Sequence, residues 1–413
     1  MKKNRIKLGI VTLLLSSLIM GCGAETTNTD KKSEGEISSN EQVDNEPLKL
    51  WVGLNQGEFY RELVKDFETE NNVTVEVVEV ENPNEDLLKD AEAAADVLKV
   101  PHDQLGKLVD AGTIYENEKY GDKIKEENIE LATSGSTYDG KVYGYPASAE
   151  CMFLYYDKKV YSEEDVKTMD ALTAKGKVGI NIAEEGADYR ITPWFISNGA
   201  YLFGESGEEV EGSTLNNAQG VNVLKWVANA KNNENIAAVN TDEISALQEG
   251  KINALFSGVW NTKNVQEILR DDMGTAVYPS VDFGDGEINL KSFTGITIFV
   301  VNVASKNPSQ AMDLAEYITN EESQIKAFEA INTIPSNKNA RESEKVTGNQ
   351  IAQTVIESTT TDHSVLMPKI AEMKNFWPNM NAILVDAYNG KIQEDGMQDK
   401  LDALVEKISK KAE

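Results

Sequence analysis

The chain has 413 residues, with 69 Asp and Glu against 40 Lys and Arg, two His and two Cys, and a formal charge of −29. Its length points to two lobes, since single cores stop growing near ~250–300 residues, and an apolar fraction of 40% excludes wholesale disorder. The charge excludes a general nucleic-acid binder, which needs a basic face, and so few His and Cys exclude a Cys/His zinc site or a disulfide-stapled scaffold.

Residues 1–7, MKKNRIK, carry four cations and lead into an apolar run from Leu8 to Met20, followed by Gly21 and Cys22. This is a signal-peptide layout, too short for a membrane span of ~20 residues. Its end, Leu18-Ile19-Met20-Gly21-Cys22, resembles a bacterial lipobox, in which the cysteine is lipidated and becomes the new N-terminus. Loss of 1–21 would take the net charge from −29 to −33. Stable anchoring needs more than one palmitate-like chain, because a single chain holds only marginally. Residues 22–47 contain almost no apolar side chains after Cys22 and read as a disordered tether. The folded body is expected to begin near Leu48. Cys151 is then left without a partner and is expected to be a small buried apolar residue.

Along the body, Leu48–Leu54 is a strand, and Phe59, Tyr60, Leu63, Val64 and Phe67 recur at helical spacing. Val73–Val80 is a second strand, completing a βαβ unit. A helix over Glu85–Ala94, a strand over Asp96–Val100 and a helix from Asp103 to Gly112 follow. Asp139-Gly140 carries a hairpin signal, and Ala149–Tyr156 is a strand. Ser162–Asp165 resembles a capping box, and Lys177–Ile182 is a further strand. Helices are expected over Pro193–Leu202, Leu215–Ala230 and Asp242–Glu249, then strands over Ile252–Phe256, Thr275–Tyr278 and Thr297–Val303. The last quarter is helical: Ser309–Ile318, Glu322–Ile331, Asn349–Glu357, Met380–Tyr388 and Asp395–Ser409. Such alternation predicts α/β layers. A P-loop, a nucleophile elbow and a dinucleotide fingerprint are all missing from the sequence.

Several aromatics fall at expected strand ends and helix starts, where open α/β sheets place ligands. Trp260 follows Ser257-Gly258, Trp377 precedes the helix expected from Met380, and Tyr189 and Trp194 flank the polar run Asp188–Thr192. An indole face suits the C–H face of a sugar ring. Core packing is the competing reading, and it is favoured for Trp194, Trp51 and Trp226. Asn55, Gln56, Asp103, Glu150, Glu184 and Glu185 occupy comparable junctions, where amides and carboxylates satisfy hydroxyl groups. Glu150 and Glu184 could instead form a glycosidase pair if held ~5–9.5 Å apart. A solvated surface position is the default for any single acid in so acidic a chain.

Taken in order, LKLWVGLNQGEFYRELVKDFE, PHDQLGKLVDAGTI, KVYGYPASAECMFLYYDKKV, EGKINALFSGVW, KSFTGITIFVVNVAS and MPKIAEMKNFWPNM resemble an extracellular solute-binding protein of an ABC sugar importer, of the maltose/maltodextrin branch. The resemblance spans 48–413. It implies a periplasmic-binding-protein-like α/β fold of two lobes, each a mixed sheet flanked by helices, joined by three hinge crossings near Ala147–Cys151, Phe293–Ile298 and Thr333–Asn337. The N-terminal lobe would comprise 48–148 plus 297–334, and the C-terminal lobe 149–296 plus 335–413. It also implies that Asn55, Gln56, Asp103, Glu150 and Glu184 contact sugar hydroxyls, while Tyr189, Trp260 and Trp377 stack on the rings.

The implied function is capture of a maltodextrin in the interlobe cleft and delivery to the permease subunits of an importer. It would be performed by a monomer anchored through Cys22 on the outer face of the cell membrane, with no cofactor, no metal and no catalysis. Three departures bear on specificity: Val100 stands where a Trp is common, Asn55-Gln56 replaces an Asp-Lys pair, and Pro378 replaces an aromatic. A cyclodextrin or β-glycan ligand is the alternative within this class. A secreted glycoside hydrolase and an adhesin or sensor are the alternatives outside it.

Overall fold

The computed structural model describes residues 46–410. The signal segment, Cys22 and nearly all of the tether lie outside them.

The strands in chain order are β1 (Leu48–Val52), β2 (Val75–Glu79), β3 (Val97–Pro101), β4 (Thr137–Tyr138), β5 (Lys141–Val142), β6 (Tyr145–Asp157), β7 (Val178–Ile180), β8 (Ile236–Ala238), β9 (Ala254–Gly258), β10 (Met273–Ala276), β11 (Ser280–Asp282), β12 (Glu287–Asn289), β13 (Ser292–Val301) and β14 (Ser364–Leu366). Ten of them form one mixed sheet whose main path is β2-β1-β3-β13-β6-β9-β7-β8, with β10 on β6 and β14 on β13. The outer strands at both ends pair in parallel, as βαβ connections require. The central strands β3, β13, β6 and β9 pair antiparallel.

Alternation along the strands feeds a core on each face of the sheet. Leu48, Leu50 and Val52 of β1 pack with Tyr60, Phe67 and Leu314, whereas Trp51 turns to the opposite face. In β6, Cys151, Phe153 and Tyr155 enter one cluster while Met152, Leu154 and Tyr156 enter another. Cys151 is 1% exposed, and burial pushes its thiol up to about 12. It behaves as the small apolar residue the sequence suggested.

Strand β6 spans 13 residues, longer than the expected Ala149–Tyr156. Its first half pairs with β13 from Tyr145 to Cys151, and its second half with β9 from Met152 to Tyr156. The two halves of the sheet, and the two lobes built on them, therefore share this strand. A register shift at Thr297/Ile298 marks a bulge opposite Pro146–Ser148. A third segment runs alongside: the N–H of Ala149 donates to Ile334 O at 2.9 Å, and Ser148 bridges Pro335. Buried Gln324 rivets this junction. Its amide oxygen accepts from the N–H groups of Ser336 (2.7 Å) and Asn337 (3.0 Å), and its Nε2 donates to Pro146 O at 3.1 Å.

Local signals hold in several places. Asp139 and Gly140 take φ of +47° and +74° in the β4–β5 hairpin, and Ser162 and Asp165 exchange hydrogen bonds. That box closes only a turn, however, because the next helix (Met169–Lys175) starts later, capped by Thr168.

Candidate functional site

The first turn of the site follows β1. Asn55 adopts a left-handed φ of +64°, a conformation that Asn tolerates. The Glu79 carboxylate at the end of β2 accepts from the N–H groups of Asn55 (3.1 Å) and Gly57 (2.7 Å), which hold its pKa below the usual carboxylate range. The Asn55 side chain is exposed. Gln56 turns inward, and its Oε1 accepts from Lys99 Nζ at 2.7 Å.

Lys99 is the functional candidate that sequence reasoning passed over. It is the one charged residue within the buried strand β3, and that was the signal available. Its ammonium also lies 5.6 Å from the Tyr60 ring centre. It keeps some exposed surface, yet the protein around it pushes its pKa down to about 8, opposed by the nearby Glu150 carboxylate. Glu150 stands on β6 opposite Gly295 of β13. It too is open to solvent while walled by protein, which raises its pKa, with Lys99 pulling the other way. Exposed surface together with desolvation identifies a cleft wall.

Beyond β3, His102 is fully buried. Its Nδ1 accepts from the N–H of Ile296 at 3.1 Å, so the proton sits on Nε2, which donates to Met367 O at 3.1 Å. Burial pushes its pKa down to about 4. Asp103 follows it, half-buried, and accepts from Gln104 Nε2 at 2.7 Å.

The aromatic wall comes from two helices. Tyr189 lies in Ala187–Ser197, and its ring centre is 6.4 Å from that of Trp377 and 5.7 Å from that of Phe293. Burial raises the pKa of the Tyr189 hydroxyl, with Glu150 adding the largest charge effect and Asp103 a smaller one. Both carboxylates therefore lie near enough to the Tyr189 hydroxyl to act on it electrostatically. Trp377 is half-buried in Met373–Tyr388, not ahead of a helix from Met380 as expected. Pro378 sits exposed inside the helix, whose packing through Met373, Phe376 and Met380 outweighs the lost backbone bond. The helix carrying Tyr189 likewise begins six residues earlier than Pro193 suggested. Trp194, in that helix, is 1% exposed and packs edge-on against Trp226 and Phe256 as core.

Trp260, by contrast, is 54% exposed. It follows β9 in a short 3-10 turn, Val259–Asn261, and its indole lies across Gly258. A Cβ there would sit 2.1 Å from the ring, so only glycine permits this seat. A buried network holds the turn: Glu243 Oε1 accepts from Ser257 Oγ (3.0 Å) and Asn261 Nδ2 (2.7 Å), while its other oxygen is 3.3 Å from Arg190 Nη2. Arg190 is the neighbour of Tyr189, so this network couples the two aromatic positions. Glu184 stands apart, exposed on the loop before the Tyr189 helix, and among the described residues only its backbone oxygen is engaged, by the N–H of Ala187. The structure thus gathers Gln56, Asp103, Glu150, Tyr189 and Trp377, with Trp260 on the adjoining wall. It does not bring the Glu184 carboxylate to them.

Two cavities converge on Glu150. One of about 520 Å³ is bounded by Gln56, Asn84, Lys99 and Glu150; another of about 700 Å³ is bounded by Glu150, Trp260, Gln266 and Gln350. A third, of about 680 Å³, lies between residues 130–140, 201–208 and 361–369 and touches none of the predicted site residues. Volume alone does not mark the site; the convergence of aromatic faces and desolvated charged groups does. Among the described residues, no cluster of three or more His, Cys, Asp or Glu is arranged to hold a metal ion.

Residues 62–354 match the family model described as bacterial extracellular solute-binding protein. The chain is similar to the maltodextrin-binding protein MdxE of Bacillus subtilis (strain 168), at 26% identity over 98% of this chain and 99% of that one. It is also similar to a maltooligosaccharide ABC transporter solute-binding lipoprotein of Streptococcus pneumoniae (strain ATCC BAA-255 / R6), at 25% identity over 94% and 93%. Among solved structures, the maltodextrin binding protein MalE1 from L. casei BL23 without ligand superposes with a TM-score of 0.85 and 33% identity, over 89% of this chain and 100% of that one.

Proposed function

The chain belongs to the bacterial extracellular solute-binding proteins, and on that footing we propose that it captures malto-oligosaccharides outside the cell and presents them to the permease subunits of an ABC importer. The observation that carries this reading is the meeting of the Tyr189–Trp377 wall and the exposed Trp260 around the desolvated Glu150 carboxylate. Flat apolar faces beside charged and amide acceptors match a sugar ring, which is apolar on its faces and ringed by hydroxyls. Gln56, Asp103 and Glu150 accept or donate to hydroxyls, Lys99 orients Gln56 and balances Glu150, and Asn55 and Glu184 contact the ligand only once the lobes close.

The lobes in this reading are 48–148 plus 297–334 and 149–296 plus 335–413, hinged where β6, β13 and the 334–337 segment run side by side. Ligand touching both lobes stabilises the closed state, which the importer recognises. Binding requires no covalent step. The chain acts as a monomer anchored through lipidated Cys22. A calorimetric and thermal-shift panel of oligosaccharides tests this. We expect α-linked glucans to raise the melting temperature with one ligand per chain and no product release. Equal responses to β-linked glycans, or release of shorter sugars by purified protein, would overturn it.

A further inference from the structure

Trp260 and Glu150 border the same cavity of about 700 Å³. The indole is exposed and lies over Gly258, and no other aromatic ring among the described residues packs against it. With so little side-chain packing, the angle of the ring is inherited from the backbone turn beneath it.

Two buried groups clamp that turn. On one side, Tyr155 of β6 donates through its hydroxyl to Gly258 O at 3.2 Å and lies 2.7 Å from Thr262 Oγ1. On the other, Glu243 Oε1 accepts from Ser257, which precedes the turn, and from Asn261, which closes it. Asn261 Nδ2 also donates to Ser257 Oγ at 2.9 Å, closing a ring of three hydrogen bonds.

The same segment faces the helix that carries Tyr189. The second oxygen of Glu243 meets Arg190, and Asn240, three residues earlier, accepts from Asn181 Nδ2 at 2.9 Å. That Asn181 amide also donates to Glu185 O at 2.8 Å, in the loop leading into the Tyr189 helix. Glu243, Ser257, Asn261 and Arg190 border neither of the cavities at Glu150. A buried carboxylate costs free energy unless it is well partnered, and the partners of Glu243 among the described residues all lie on the segments that carry the two aromatic faces.

We propose that Glu243 is a positioning residue for sugar binding: it fixes the Trp260 face relative to Tyr189 before the ligand arrives. The inference rests on the malto-oligosaccharide reading above. A face set in advance need not be ordered by the ligand, which strengthens binding without any new contact. Tyr189 is also held by Phe293 and Trp377, so loss of Glu243 is felt chiefly at Trp260.

The test is a double-mutant cycle read by calorimetry with maltotriose, with melting temperatures as the control for folding. Glu243→Ala is expected to weaken binding about five- to tenfold in the wild-type background. Combined with Trp260→Ala, it should add no more than about twofold to the loss from Trp260→Ala alone. Asn261→Ala, which leaves the Arg190 pair intact, should behave alike and serves if Glu243→Ala does not fold. Glu243→Gln keeps an accepting oxygen and should recover most of the affinity. In unliganded protein labelled with fluorotryptophan, the Trp260 fluorine resonance, identified by its loss in Trp260→Phe, should shift or broaden in Glu243→Ala while those of Trp194 and Trp226 stay. A loss of affinity that is undiminished without Trp260, no loss at all, or an unmoved Trp260 resonance overturns the role. If maltotriose does not bind the wild type, the malto-oligosaccharide reading falls, and the fluorine resonance still decides whether Glu243 holds Trp260.

Discussion

Lys369 Nζ sits 2.7 Å from the Glu208 carboxylate, and the same ammonium donates to the carbonyl oxygens of Ser134 (2.7 Å) and Thr137. The lysine side chain is 3% exposed and the glutamate 21%. Three segments distant in sequence are thereby tied at one buried cation, in a wall of the cavity away from the aromatic site. Removing the cation leaves two carbonyls without their donor, a cost of ~1–3 kcal/mol per buried group. Lys369→Met is therefore expected to lower stability in urea unfolding by about 2–4 kcal/mol. Glu208→Gln should cost less, since the lysine keeps both carbonyls. Equal midpoints for Lys369→Met and wild type would show that the tie carries no stability.

The exposed and half-buried tryptophans should separate binding from folding. Trp260→Ala and Trp377→Ala are each expected to weaken malto-oligosaccharide binding by about 1–3 kcal/mol. Only Trp377→Ala should also lower the melting temperature, because Trp377 packs on Phe293, Tyr189 and Phe376. Trp194→Ala, emptying a core position, should cost about 3–5 kcal/mol of stability. Unchanged affinity in both Trp260→Ala and Trp377→Ala would refute the stacking assignment.

Glu150 has a raised pKa from burial, partly offset by Lys99. It therefore takes up a proton at a higher pH than an ordinary carboxylate, and a carboxylate that accepts from sugar hydroxyls loses that capacity on protonation. Sugar affinity is expected to fall as the medium is acidified from pH 7 through the raised pKa. Lys99→Met should move the fall to higher pH, and Glu150→Gln should remove it. Titration of affinity against pH in the three proteins checks this; parallel profiles would dismiss Glu150 as the titrating group.

His102 gives a stability signature of known sign. Its folded pKa is pushed down to about 4 by burial, against an unfolded value of ~6.5. Above pH ~6.5 both states are neutral and the group contributes no pH dependence. Between ~6.5 and ~4 the unfolded chain binds the extra proton, so stability falls as pH falls, by on the order of 1–3 kcal/mol in all. The wild type should lose this increment relative to His102→Gln over that window in denaturant titrations. A difference that is flat with pH would mean that His102 titrates alike in the folded and unfolded states.

The strands and helices were readable where one local signal ruled. Alternation at Leu48–Val52 and the Asp139-Gly140 hairpin are properties of neighbouring residues, and both stand as expected. Reading failed where a local signal was overruled from a distance. Helices were expected to start at Pro193 and at Met380, just past Pro378, yet both prolines lie inside helices whose apolar faces pack against the lobe core. Ser162–Asp165 forms its hydrogen bonds without nucleating a helix, and the next helix starts only at Met169 under the Thr168 cap.

For the site, residue types at strand ends pointed to Asn55, Gln56, Asp103, Glu150, Glu184, Tyr189, Trp260 and Trp377, since topology confines ligand positions to those ends, and the fold leaves the Glu184 carboxylate apart from the rest. Lys99 escaped notice because a charge within a buried strand has meaning only when Gln56 and Glu150, 43 and 51 positions away, come beside it. The Arg190–Glu243 network escaped for the same reason.

Length, charge and the scarcity of His and Cys determined by themselves that the chain has two lobes' worth of core, repels polyanions and lacks the side chains for a Cys/His metal centre. Those are sums over residues, and sums need no coordinates. How far each aromatic is open to solvent was decided by tertiary structure: sequence position favoured core for Trp194 and a wall for Trp260, and folding sets one at 1% exposed and the other at 54%. Exposure depends on which surfaces meet after folding, and that is set by packing between segments far apart in the chain.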